Sequence, residues 1–241
     1  MKTVNFYSQY HEDDILNNIF KGKKDGVCVE VGGFDGVTGS NTFFFEKLGW
    51  KCLVVEPMPN FCESIRKARS CIVAEYAASS NEGVVDFYVA EGVETLSTME
   101  FSEAHFSRVK ETPNSRLNKI QVKTKRLDTI FKENKFVDID FMTIDVEGHE
   151  LGVLAGLDFE TSNIKIIIIE DNSNGFDSSV KNLMESKGYK RFKKTGCNDW
   201  FTNDVTIYAW SDIFYTELKI SLFIIKQKIK PLVPSFLKRR I

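Results

Sequence analysis

Short apolar runs alternate with amphipathic stretches along most of the chain. VCVEV (27–31), KCLVVE (51–56), CIVAEYA (71–77) and DVTIYAW (204–210) read as strands. IDFMTID (139–145) and IKIIIIED (164–171) are continuously apolar, as strands covered on both faces are. Between them NTFFFEKLG (41–49), NFCESIRKAR (60–69), ELGVLAGL (150–157) and DSSVKNLMESKG (177–188) read as helices. Phe61, Ile65 and Ala68 stand at helical spacing, and Gly49 and Gly188 supply stops. Strand–helix–strand repetition predicts an α/β fold with a doubly wound, mostly parallel sheet. The segment 81–137 fits least: VVDFYVA and IQVKTKRL look like strands around a polar stretch. Such an insert beside an α/β site is often a lid or a substrate wall. Its second half is basic, with Arg108, Lys110, Arg116, Lys119, Lys123, Lys125 and Arg126, which makes either a solvated surface or a wall for an anionic substrate.

The 241 residues suffice for one main domain. We place it at 1–213, followed by a basic amphipathic tail at 214–241. A formal net charge of -2 gives no global field for nucleic acid. Five cysteines, an odd number without a CxxC pair, suggest neither a disulfide framework nor a zinc site, and a reducing compartment. The polar start MKTVNFYSQYHEDD lacks the apolar core of a signal peptide, so a cytoplasmic location is expected. The tail combines Leu218, Leu222, Phe223, Ile225, Ile229, Leu232, Phe236 and Leu237 with Lys219, Lys226, Lys228, Lys230, Lys238, Arg239 and Arg240. Two readings stay open for it: an interfacial helix on the inner membrane surface, or a helix packed on protein.

The first strand climbs to Glu30 and breaks at Gly32, Gly33 and Gly36, with Asp35 among them. In doubly wound folds a ligand sits beyond the carboxyl ends of the central strands, where glycines let it approach the backbone. A dinucleotide fingerprint G-x-G-x-x-G starting at Gly32 would need glycines where Phe34 and Val37 stand. Asp35 would repel a pyrophosphate but suits a cationic ligand, and Glu56, ending the second strand, can accept from ribose hydroxyls. S-adenosylmethionine meets both conditions. An NAD-dependent oxidoreductase and a non-catalytic binding module on the same fold are the competing readings.

VEVGGFDGVTGSNTFFFEKLGWKCLVVEPMP followed by IDFMTIDVEGHELGVLAGL resembles the FkbM family of methyltransferases. SQYHEDD near the start and VKTKRLDTIF before the fourth strand resemble it as well, so the likeness runs from about Ser8 to about Trp210. Gly33-Phe34 departs from the Ala-Asn or Ala-His common in that family. The resemblance implies a Rossmann-like class I methyltransferase fold and S-adenosylmethionine-dependent O-methylation, often of a sugar, glycan or related small-molecule hydroxyl. The candidate cofactor residues are Glu30, Gly32, Gly33, Asp35, Gly36, Ser40, Asn41, Glu56 and Ala78.

The candidates for chemistry lie in IDVEGHE (144–150). Asp145 and Glu147 are two carboxylates at a strand end, and His149 is a candidate general base. Asp145 with Asp171 and Asn172 would give three oxygen ligands for Mg²⁺, a second scheme for activating a hydroxyl. The metal-independent scheme is preferred, because the resemblance covers IDVEGHE more firmly than Asp171-Asn172. The Asn/Asp-Pro-Pro-aromatic motif of many amine methyltransferases is replaced here by Asp145-Val146-Glu147-Gly148, which favours an oxygen substrate.

Overall fold

The computed structural model describes residues 5–100, 107, 109–113 and 115–230. Arg108 of the basic insert and tail residues 231–241, with Leu232, Phe236, Leu237, Lys238, Arg239 and Arg240, lie outside the described residues. The fold is α/β, built on a mostly parallel main sheet. The chain divides into two compact units, Met1–Glu170 and Asp171–Ile241.

In the first unit, helix α1 (Glu12–Ile19) precedes strand β1 (Val27–Val31), α2 (Phe43–Lys47), β2 (Lys51–Val55), α3 (Pro59–Ala68) and β3 (Ile72–Ala74). Strands β7 (Asp138–Ile144) and β8 (Asn163–Glu170) return on the other side of β1, giving the parallel order β3-β2-β1-β7-β8. The order reverses between β1 and β7, which places the crevice of such sheets at the carboxyl ends there. Register makes this concrete. Val31 pairs with Val55 and with Ile144, and Ile144 pairs with Ile169. The next residues, Gly32, Glu56, Asp145 and Glu170, therefore leave the sheet at one level. Fully buried Val29, Leu53, Phe141, Met142, Ile166 and Ile167 hold the strands. Phe45 and Trp50 close against Phe141 with ring centroids 4.8 and 6.0 Å away.

The insert holds a sheet of its own. Strand β5 (Gly83–Glu91) pairs antiparallel with β6 (Arg116–Lys125), and β6 pairs parallel with β4 (Ala77–Ala78). The run CIVAEYA is thus split between two sheets. A tight turn, with the Tyr76 amide donating to the Ala74 carbonyl at 3.0 Å, redirects the chain. Helix α4 (Leu127–Asn134) leads into β7, and α5 (Glu150–Ala155) joins β7 to β8.

The second unit contains α6 (Ser179–Ser186), β9 (Lys190–Thr195), β10 (Asn198–Thr202) and α7 (Trp210–Ile229). The expected strand at 204–210 is corrected here. Asp204 accepts from the Thr206 amide at 2.9 Å and the Ile207 amide donates to the Asp204 carbonyl, closing a turn. Asp212 then accepts from the Ala209 amide at 2.8 Å and starts α7. The final strands are instead an antiparallel hairpin around Gly196, whose core is Phe192, Trp200 and Phe201.

Candidate functional site

The turn after β1 is shaped by close approach. Gly32 has φ +88°, and a Cβ there would lie 1.8 Å from the Asp145 carbonyl oxygen. Its amide donates to the Val55 carbonyl at 2.9 Å, while the Asp145 amide donates to the Val31 carbonyl at 3.0 Å. Only a residue without a side chain lets the three strand ends meet so closely. A Cβ on Gly33 would lie 2.1 Å from Val54, so this glycine packs the turn down on β2.

Glu30 is buried under this turn. Its carboxylate accepts from Ser40 Oγ at 2.7 Å, the Asn41 amide at 2.8 Å and Thr42 Oγ1 at 2.6 Å. Arg69, at the end of α3, donates to Glu30 at 3.2 Å, Glu46 at 2.7 Å and the Gly36 carbonyl at 3.0 Å. The Glu30–Arg69 pair thus ties the whole loop 36–42 to the sheet. Ser40 also accepts from the Phe43 amide at 3.1 Å, where it starts α2. The SQYHEDD segment bears on the same loop: Ser8 bridges to Gly39, and buried Asp13 accepts from Ser8 Oγ at 2.5 Å.

Asp35 folds back on the turn, accepting from the amides of Val37 (2.8 Å) and Thr38 (2.7 Å) and from Thr38 Oγ1 (2.7 Å). Partial burial opposes its ionisation, but these bonds prevail and lower its pKa. Glu56 is buried and accepts from the Phe34 amide at 3.0 Å and the Met58 amide at 2.9 Å. Burial outweighs those bonds and pushes its pKa up to about 7. Ala78 is buried in β4, opposite Lys125 of β6.

Beyond β7, Glu147 (φ +53°) and Gly148 (φ +107°) turn the chain through two left-handed conformations. They set Asp145 and Glu147 beside Glu170, with a carboxylate oxygen of each within 4.8 Å of the others. Glu170 was not among the residues picked from the sequence. Burial above all, then the charges of Asp145, Glu147 and Glu150, push its pKa up to about 10. The folded chain therefore holds a proton that the unfolded chain releases. That contribution to stability is complete below about pH 4.5 and is lost as pH rises through the window up to about 10. Glu170→Gln is expected to gain thermal stability relative to the parent as pH goes from 5 to 8. Parallel Tm profiles for the two proteins would contradict this.

His149 lies at the mouth of the same loop. Its Nδ1 stands 2.8 Å from Glu100 Oε1 and its Nε2 3.2 Å from Ser79 Oγ. The ring rests where a side chain on Gly152 would be, since a Cβ there would meet Nε2 at 2.1 Å. Glu100 is carried by the insert. Buried Thr98 pins that segment, donating to the Glu147 carbonyl at 2.9 Å and accepting from the Glu100 amide at 3.0 Å. Neither Glu100 nor Arg69 was among the residues picked from the sequence.

Asp171 and Asn172 belong to the turn that opens the second unit. The Asp171 carboxylate accepts from the amides of Ser173 (3.0 Å) and Gly175 (2.7 Å) and pairs with Lys194 at 3.3 Å. These bonds already account for Asp171 as a turn former. The acidic group that the structure gathers around Asp145 is Glu147 and Glu170.

The family model described as the methyltransferase FkbM domain matches residues 30–191. No curated protein matches the chain in sequence. Among solved structures, the chain is similar to a precorrin-6y C5,15-methyltransferase from Geobacter metallireducens, with 12% identity, 83% of this chain and 90% of that one covered, and a TM-score of 0.42. It is similar to a TehB-like SAM-dependent methyltransferase from Corynebacterium glutamicum, with 9% identity, coverages of 82% and 89%, and a TM-score of 0.43. It is also similar to M. capricolum TrmK in complex with S-adenosyl-homocysteine, with 13% identity, coverages of 78% and 66%, and a TM-score of 0.32.

Proposed function

Because the chain belongs to the FkbM-domain family of S-adenosylmethionine-dependent methyltransferases, we propose that it methylates a hydroxyl of a sugar, glycan or related small molecule. The observation that carries the oxygen assignment is the Glu100–His149–Ser79 line beside the strand-end carboxylates.

The residues of the turn suit the cofactor. Asn41 Oδ1 is the one buried side-chain oxygen or nitrogen without a hydrogen-bond partner among the described residues. A buried acceptor of this kind costs stability until a donor meets it, and the cofactor's ammonium group is such a donor. Glu56 would accept from the ribose hydroxyls with the lone pairs its amide bonds leave over. Ala78, small and buried, would leave room for the adenine ring. Bound S-adenosylmethionine supplies a methyl group made electrophilic by its sulfonium.

The chain's own task is the substrate's proton. A carboxylate only accepts, so neutral His149 keeps its hydrogen on Nδ1, facing Glu100, and presents a lone pair at Nε2. That lone pair already faces one hydroxyl, that of Ser79. A substrate hydroxyl placed there would lose its proton to Nε2, with Asp145 and Glu147 orienting its neighbours. Base assistance of this kind contributes roughly 10²–10⁴-fold. Glu100 is a positioning residue, acting through His149.

Calorimetry with S-adenosylhomocysteine tests the cofactor. The parent protein should bind it, and Glu56→Ala should weaken binding at least about tenfold. Binding of NAD without any response to S-adenosylhomocysteine would end this reading. A substrate is to be sought as a lost CH₂ mass increment in host glycans when the active protein is absent. With a substrate in hand, EDTA is compared with His149→Ala. A Mg²⁺ scheme is the second reading, favoured by the closeness of Asp145, Glu147 and Glu170. Full loss with EDTA, restored by Mg²⁺, together with an active His149→Ala enzyme, would select it.

A further inference from the structure

The helix α7 carries two apolar faces. One packs within its own unit. Buried Thr216 donates to the Phe192 carbonyl at 3.1 Å, Glu217 pairs with Arg191 at 2.9 Å and with Lys181 at 2.8 Å, and buried Ile220 covers Gly175. Among the described residues the other face is exposed. Trp210, Phe214, Leu218, Leu222 and Ile225 recur every three or four residues, which places them along one stripe. Trp210 is 73%, Phe214 70% and Leu222 56% exposed. Five large apolar side chains in one exposed row are far more than the scattered apolar residues of an ordinary surface. Among the described residues no helix is long and apolar enough to cross a membrane.

We propose that this face docks on the surface of an anionic lipid bilayer. Its borders decide the occupant. By helical spacing, Lys219 and Lys226, seven residues apart, run along one side of the stripe, and Lys228 lies on the other. All three are exposed. Lysines beside an apolar row can extend their stems along it and leave their ammonium groups at headgroup level. Tyr215, with the Lys219 ammonium 4.4 Å from its ring centroid, and Trp210 are the amphipathic aromatics that favour such an interface. A second copy of this chain fits less well. It would bring lysine rows against lysine rows, and the two acids of α7 are already engaged: Asp212 caps the helix and Glu217 is held by Arg191 and Lys181.

Flotation of the full chain with vesicles tests this. One set is phosphatidylcholine alone; the other adds phosphatidylglycerol. The protein should float only with the anionic set, and high salt should release it. Phe214→Ser with Leu222→Ser, and separately Lys219→Glu with Lys226→Glu, should each lower the partition constant at least about tenfold. All four positions are exposed, so circular dichroism should be unchanged. Equal flotation with both vesicle sets, or no response to the lysine reversals, would overturn the proposal. So would a failure to float combined with a dimer in sedimentation that Phe214→Ser with Leu222→Ser dissolves.

Discussion

Gly32→Ala is expected to cost at least about 3 kcal/mol of folding stability, a large share of what a domain of this size holds in reserve. Two penalties act together. The residue sits at φ +88°, where an alanine is strained, and its Cβ would lie 1.8 Å from the Asp145 carbonyl oxygen. That oxygen is backbone at a strand end and cannot rotate away. Relief requires β1 and β7 to part, which breaks the Asp145 amide's bond to the Val31 carbonyl. Gly39 provides the control. Its φ is +71°, but nothing lies within 4 Å of a Cβ there, so Gly39→Ala should cost only about 1–2 kcal/mol of backbone strain. Urea denaturation of both variants with unchanged m-values measures the difference. Equal losses would show that conformation alone, and not contact with Asp145, makes glycine necessary at position 32.

The strands of the parallel sheet were legible because period and length speak plainly there. β1, β2, β7 and β8 are apolar runs with few alternatives, and each ends at or next to a glycine or an acid. The hairpin β9–β10 was hidden by composition. KRFKKT and NDWFT bury only Phe192, Trp200 and Phe201 as large apolar groups, and neither shows a clean alternation. DVTIYAW looked more like a strand than either, but Asp204 and Asp212 spend their carboxylates on a turn and a helix start. Local hydrogen bonding overrode β-propensity there.

Within the site, the residues of the glycine turn were readable and their division of labour was not. Glu30 and Asp35 look alike in sequence, as acids within two residues of a glycine. One is buried and supports the loop from beneath; the other closes a turn upon itself. Glu170 could have been found by aligning strand ends: parallel strands in register put the residue after Ile169 beside the residue after Ile144. Asp171, one position later, is the acid that the IKIIIIED run makes conspicuous beside Asn172. Glu100 has no such signal. It lies 49 positions before His149 in a polar stretch, and only the folding of the insert brings the two together.

The second large effect is expected at the polar knot under the turn. Arg69→Met should destabilise the fold by about 3–5 kcal/mol, the range for removing one partner of a buried ion pair. Both side chains are nearly inaccessible, at 0% and 6% exposure, so Glu30 would remain charged without its counter-ion. Ser40, Asn41 and Thr42 would still donate to it, which tempers the loss without neutralising the charge. Adding Glu30→Gln should recover part of the stability, since an uncharged amide needs no guanidinium. Function should follow separately. Arg69 also holds the Gly36 carbonyl and Thr42 Oγ1, so the loop that presents Asn41 should loosen and affinity for S-adenosylhomocysteine should fall at least about tenfold. Calorimetry at a temperature where the variant is still folded separates the two effects. An Arg69→Met protein of full stability would refute the knot as a structural element. A destabilised one with unchanged affinity would show that it supports the fold without shaping the pocket.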